Sequence, residues 1–476
     1  MIVAKFGGTS VGDAEAIGRA ADIVRGRMPG RPLVVVSAMA GVTNALIALA
    51  EQASKGHLLG ALRAVESLRE RHLGAASALV PDEAAAAELR TELSAAFDDL
   101  ARLAEALSVF GYLTPRTLDA ITAQGELLSA PLVVAAFRAR GVPAELVDPR
   151  QLLVTDDRFG RAEPQAEAIA EAAREHVLPH LREGRVPVTG GFVGATVEGV
   201  TTTLGRGGSD YSASLLGAAL QADAIEIWTD VDGMLTADPR LVPGARLIER
   251  IRFDEASELA SFGAKVLHPS TITPAVRRGI PVYVYNARRP EGTGTLITAD
   301  APRRPVSAVA AKASTTVVKL RTARMLLAHG FLQTVFNVFE RHQTSVDVIA
   351  TSEVSLSVTL DDPANLDALL VDLRALGDVS VERGRGIVSV VGAGLTDDSA
   401  VLARAFGALA GVRVHMASVS ATGINLTLVL DADQVAPAML RLHDAFFGDA
   451  VPSVSTVDAH HVTNAGAGAS GGAAVA

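Results

Sequence analysis

Two glycine-bearing turns carry the charges that could do chemistry in this chain. Lys5-Phe6-Gly7-Gly8-Thr9-Ser10 follows the first apolar run directly. Gly205-Arg206-Gly207-Gly208-Ser209-Asp210 lies between an apolar run (186–193) and a helix-like one (211–220). Glycines let the backbone approach an anion closely, and a helix N-terminus offers that anion unpaired N–H groups. Two such turns in one α/β domain predict a phosphate and a second anion held side by side, a kinase-like arrangement. Taken singly, Lys5 reads as a solvated lysine at a strand end and Asp210 as a helix cap.

These turns need a frame. Ile2–Phe6 and Pro32–Ser37 are short apolar runs of buried-strand type, and strand–helix alternation continues through 143–147, 186–193, 224–229 and 281–285. The alternation predicts a mostly parallel sheet with helices on both faces. Between about 48 and 113 the pattern changes to Ala, Leu, Glu and Arg at helical spacing, broken near Pro81: a helical insertion expected to serve as a lid or dimer element. The catalytic domain is expected over 1–300, ending at the proline-rich break 298–305. Beyond it, strand and helix runs fit two βαββαβ units in series, 306–384 and 385–460. The Ala/Gly/Ser tail 463–476 is expected to be disordered.

Composition narrows the function. The chain has 476 residues, a formal charge of −10 and no cysteine. Disulfides, thiol catalysis and cysteine metal sites are excluded, and an acidic chain without Lys/Arg clusters disfavours nucleic acid. No apolar run is expected to span a membrane, and the N-terminus opens on a strand without a basic leader, so a cytoplasmic enzyme is the expectation. The histidines show no metal-ligand spacing, His268 included, and no metal site is expected.

Several long motifs, in order, resemble the aspartate kinases: Lys5 to Ser10, Ser37-Ala38-Met39-Ala40-Gly41-Val42-Thr43-Asn44, Gly125-Glu126, Thr201-Thr202-Thr203-Leu204 leading into Gly205 to Tyr211, Trp228-Thr229-Asp230-Val231-Asp232-Gly233, and Phe262-Gly263-Ala264-Lys265-Val266-Leu267-His268-Pro269. The stretches 156–164 and 351–355 resemble the lysine-sensitive, monofunctional class. The resemblance implies an amino-acid-kinase fold followed by two ACT-type units. It also implies transfer of the γ-phosphoryl group of Mg-ATP to the β-carboxylate of L-aspartate, the first step toward lysine, threonine and methionine. A carboxylate nucleophile is already ionised at neutral pH and needs no general base, so positioning and cationic stabilisation carry such a transfer.

Residue by residue, the resemblance implies catalytic roles for Lys5, Asp210 and Lys265, with Asp210 orienting the two cations. Arg206 would grip the substrate α-carboxylate bidentately and Glu126 its ammonium, with Ser37, Thr43 and Ser209 as hydroxyl partners. ATP would meet Lys5, Gly7, Gly8, Thr229, Asp230, Arg240 and Lys265; Leu235 stands where the family often has an aromatic residue. Without the resemblance, Glu126 reads as an exposed helix glutamate and Thr43 as an N-cap. A regulatory lysine would meet Met325, Gly330, Phe331, Leu332, Asp347, Thr351, Ser352 and Glu353, in a pocket where Ala328 replaces a small hydroxyl residue. A homodimer or homotetramer through the ACT units is implied. The competing readings are a kinase of the same fold acting on glutamate or a nucleotide, and a catalytically silent amino-acid sensor. Arg206, Glu126 and Thr43 disfavour a nucleotide as acceptor, and the intact charges Lys5, Asp210 and Lys265 disfavour the sensor.

Overall fold

The computed structural model describes residues 1–205, 207–262, 269–326, 328–361 and 365–448, so Arg206, Lys265, His268 and the tail lie outside the described residues. Apolar runs without alternation form strands buried on both faces. The first strand, Ile2–Phe6, pairs in parallel with Pro32–Val36 on one side and Ala224–Thr229 on the other, and Lys5 lies opposite Val35 and Ile227. The eight strands are ordered Ala144–Leu146, Val186–Gly190, Pro32–Val36, Ile2–Phe6, Ala224–Thr229, Val282–Asn286, Thr295–Ile297, Arg250–Ile251. The sheet is parallel except where Thr295–Ile297 runs against Val282–Asn286. The chain first builds outward on one side of Ile2–Phe6 and later on the other. The carboxyl end of that strand is therefore a switch point, where open α/β sheets leave a crevice.

The helical insertion starts earlier than expected and does not stand off as a lid. Its first helix, Val42–Ser54, begins inside the Ser37–Asn44 motif, followed by Leu58–Leu79 and Glu83–Phe110. Asp82 caps the last by accepting from Ala85 N, just after the Pro81 break. Leu46, Leu49, Val65, Leu93, Phe97 and Leu100 join Phe6, Val34 and Val36 in one core, so the insertion covers a face of the sheet. One prediction needs correcting: the helical stretch Pro115–Ala139 is long and apolar enough to cross a membrane. Most of it is buried inside the fold, as expected of a core helix.

The regulatory half is a six-stranded antiparallel sheet whose strands do not divide into two consecutive units. Ala308–Arg321 and Asp378–Val391 each run 14 residues through the whole sheet. The first part of Ala308–Arg321 pairs Ala308–Lys312 with Ile387–Val391, and the second part pairs Thr316–Arg321 with Ser355–Leu360. The second unit, expected over 385–460, therefore takes a strand from before the first, and the expected break at 384/385 falls inside a continuous strand. Sequence alone missed this because 308–312 is too short and alanine-rich to read as a strand. Helices Phe331–Arg341 and Leu366–Arg374 cover one part of the sheet, and Ser399–Ala408 and Val435–Phe447 another.

Buried polar contacts join the two halves. Glu255, 1% exposed on helix Phe253–Ser261, accepts from Ser307 Oγ at 2.7 Å and Ala393 N at 2.9 Å through Oε1, and from Arg252 N at 3.2 Å through Oε2. Val309 N donates to Thr236 O at 2.8 Å, and Thr236 Oγ1 lies 3.0 Å from His443 Nε2 on the last helix. Removing Glu255 strands three donors at a buried junction. Glu255→Ala is expected to lower unfolding free energy by about 2–4 kcal/mol, read from urea denaturation, while Glu255→Gln recovers most of it.

Candidate active site

Lys5 leaves the last turn of its strand at the switch point with its side chain 10% exposed. A buried ammonium requires a counter-charge, and helix Gly208–Leu220 supplies Asp210, whose Oδ1 stands 2.6 Å from Lys5 Nζ. The two side chains form a buried ion pair. Asp210 does not cap this helix: Gly207 does, at φ 71°, a left-handed conformation that glycine adopts without strain. Thr43 likewise is no cap. Gly41, at φ 80°, precedes the helix and leaves Thr43 in its first turn.

These residues line one cleft of about 750 Å³. Lys5, Gly8, Ser37, Thr43, Glu126, Ser209 and Asp210 all face it, so the structure brings together most of the residues singled out for phosphate and substrate. Gly7 is buried under Lys5 and its N–H donates to Trp228 O at 3.0 Å. Ser37 N donates to Phe6 O at 3.1 Å, fixing the two strand ends together. Arg206 and Lys265 lie outside the described residues.

Glu126 differs most from its bland reading. It is 3% exposed, and its Oε2 has no hydrogen-bond partner among the described residues. Burial pushes its pKa up to about 8, opposed in part by hydrogen bonding from Ala38 N–H and by the Lys5 charge. An acid in this state lacks only a cation, which a ligand ammonium would supply.

Two cleft residues escaped the sequence reading. Asp119, 1% exposed, accepts from Gly160 N at 2.9 Å and Thr203 N at 3.0 Å through Oδ2, and from Thr203 Oγ1 at 2.8 Å through Oδ1. It ties helix Pro115–Thr122 to the 156–163 loop and to strand Thr201–Thr203. Burial raises its pKa despite these bonds. Phe192 lines the cleft at φ 62°, an uncommon conformation for a side chain of its size, with its N–H bonded to Ser212 Oγ at 2.9 Å. Neither signal is visible in sequence: the partners of Asp119 are mostly main-chain N–H groups.

The residues expected at the nucleoside lie elsewhere. Thr229 ends its strand and donates to Asp230 Oδ1 at 3.3 Å. Asp230, Leu235 and Arg240 line a second cavity of about 500 Å³, walled on its far side by Val309–Ala311 and Met439 of the regulatory half. Arg240 is bound to Asp238 through Nε and Nη2.

Of the expected effector residues, Thr351 ends the edge strand Ile349–Thr351 and Asp347, Ser352 and Glu353 flank it in sequence. Gly330 caps helix Phe331–Arg341, Met325 ends a short turn, and Thr351, Ser352 and Glu353 are exposed. Phe331 packs partly into the helix–sheet core while Leu332 is 40% exposed. Ser352 Oγ lies 2.7 Å from Ser355 Oγ. Asp347 is not free: Lys312 Nζ stands 3.5 Å away and also binds Asp361. Burial and Asp361 together push the pKa of Asp347 up to about 6 against the Lys312 charge.

Known proteins share this arrangement. The sequence model of the amino acid kinase family matches residues 1–286, and that of the ACT domain matches 388–446. Lysine-sensitive aspartokinase 3 of Escherichia coli is 41% identical over 456 residues, 94% of this chain and 99% of that protein. The crystal structure of E. coli aspartokinase III with aspartate and ADP, in the R-state, superposes with TM-score 0.82 at 40% identity, covering 94% of this chain and 100% of that one. The T-state complex with lysine and aspartate gives 0.79 at 40% identity, covering 94% and 99%.

The buried acid has a measurable consequence. Its pKa rises from 4.5 to about 8 on folding, so the native state holds the Glu126 proton more tightly than the unfolded chain. Stability then falls as pH climbs through that interval and levels off above it. Glu126→Gln is expected to flatten this slope, leaving the variant more stable than wild type above pH 8, by urea denaturation across pH.

Proposed function

Since this chain belongs to the amino acid kinase family and, within it, to the aspartokinases, we propose that it moves the γ-phosphoryl group of ATP to the β-carboxylate of L-aspartate, giving 4-phospho-L-aspartate. The observation that carries this reading is the cleft itself. A buried lysine paired to a helix-start aspartate shares it with three hydroxyl residues and a buried glutamate whose Oε2 has no hydrogen-bond partner among the described residues.

The chemistry follows from these groups. The acceptor carboxylate arrives ionised and needs no base, which agrees with the lack of a general-base assignment. Lys5, held by Asp210, offsets charge on the transferring phosphoryl group. Glu126 takes the aspartate ammonium, giving up its proton to do so, and Ser37, Thr43 and Ser209 fix the remaining polar atoms. Arg206 grips the α-carboxylate and Lys265 the nucleotide phosphates; both assignments rest on the motif positions. Thr229, Asp230 and Arg240 hold the nucleoside side. Mg²⁺ would arrive on the nucleotide phosphates with its own water and neutralise phosphate charge there. Feedback by L-lysine at the edge-strand residues around Asp347, a dimer or tetramer through the regulatory sheet, a place at the head of the lysine, threonine and methionine pathway, and a cytoplasmic location complete the proposal. Lysine sensitivity is supported by the E. coli relative of that name.

The test is aspartate-dependent ADP release by the purified protein with Mg-ATP, with and without L-lysine, across pH. Turnover that lysine suppresses is the expected outcome. KM for aspartate should fall as pH rises toward about 8, because ionised Glu126 is the form that pairs with ammonium. Turnover indifferent to lysine removes the effector assignment, and no aspartate-dependent turnover removes the kinase assignment.

A further inference from the structure

An arginine of the helical insertion reaches both loops of the cleft. Arg71, on helix Leu58–Leu79, donates through Nη1 to Ala40 O and through Nη2 to Gly12 O, each at 2.8 Å. Ala40 lies in the loop after strand Pro32–Val36 that carries Ser37 and leads into the helix start at Thr43. Gly12 lies in the loop after strand Ile2–Phe6 that carries Gly7 and Gly8. The two strand ends are pinned by Ser37 N to Phe6 O, and Arg71 ties the two loops again several residues further on.

The loops meet with no room to spare. A Cβ on Gly8 would stand 3.0 Å from Ala38 O, and one on Gly12 3.2 Å from Gly8 O and 3.3 Å from Ala40 Cβ. Their separation is thus set by backbone against backbone, and a planar guanidinium with two parallel donors matches two carbonyls held at a fixed spacing. The described partners of Arg71 are these two carbonyls and no carboxylate. We propose that Arg71 is a positioning residue of the active site. It fixes the phosphate loop against the substrate loop, and the helical insertion works as a strut for the cleft rather than as a lid. This rests on the kinase reading above for its catalytic consequence, but not for the clamp itself.

Misplacing two reacting groups by a fraction of an ångström suffices to slow a transfer whose rate comes from positioning. In the full-length protein, Arg71→Ala is expected to lower kcat/KM for aspartate roughly tenfold or more, mostly in kcat. Hydrogen exchange by mass spectrometry should speed up in segments 7–12 and 37–44 together. Added guanidinium, below denaturing concentration, should restore both readouts in part. Arg71→Lys should recover less, because an ammonium lacks the planar fork. Arg69→Ala is the control: Arg69 holds Asp98 and Glu66 on the same insertion and touches neither loop. It should cost stability without speeding exchange in the two loops. Loop exchange unchanged in Arg71→Ala, equally raised in Arg69→Ala, or insensitive to guanidinium overturns the clamp. Should the wild type show no aspartate-dependent turnover, the exchange measurement still decides the clamp, and only the kinase reading falls.

Discussion

A lysine ammonium can be largely buried at the floor of a cleft only if an anion is delivered to the same place. Much of the catalytic half follows from meeting that constraint for Lys5. Its strand must be central, so that its end opens into a crevice. A helix must start beside it, and the turn before that helix must be glycine so that the third residue rather than the cap presents a carboxylate. Glu126 meets the opposite condition. Asp210 has its cation in Lys5, whereas Glu126 has no ion-pair partner among the described residues and its burial favours the protonated form. Two carboxylates in one cleft thus do different work because one is partnered and the other is not.

Residues that the sequence singled out by type near a strand or helix end proved to share a place: Lys5, Ser37, Thr43, Ser209 and Asp210 all line one cleft. Roles that depend on main-chain partners were not visible. Arg71 grips two carbonyls and Asp119 mostly backbone N–H groups, and no pattern of residue types announces such partners. The regulatory half shows the same limit at the level of topology. Its strands were found approximately, but their interleaving depends on two 14-residue strands, of which local patterns read one only in its second part and the other as two pieces.

That interleaving changes how the regulatory sheet bears on catalysis. Polar contacts carry it into two catalytic segments. Val309 and His443 hold Thr236, inside the segment that walls the Asp230–Arg240 cavity. Glu255 meets Ser307 and Ala393, and Glu258 meets Asn425, on the helix whose chain runs on toward Lys265. These contacts are mostly buried, and a buried polar group left without its partner costs more than the bond was worth. A displacement of the sheet therefore has to take both catalytic segments with it or break them free.

The sheet itself has one weak place. The pairing of Ala308–Arg321 with Asp378–Val391 loses register between Lys312 and Thr315, where a bulge lets the long strands bend. Lys312 stands at that bulge and binds Asp361 while facing Asp347, the acid on the edge-strand side. Any cation that settles at Asp347 must share it with Lys312 or displace it, and in either case the force falls on the bulge. From there the first part of the same strand runs directly to Val309, whose N–H holds Thr236. Coupling between sites needs an element that both can bias, and a continuous strand with one hinge is mechanically suited to be it.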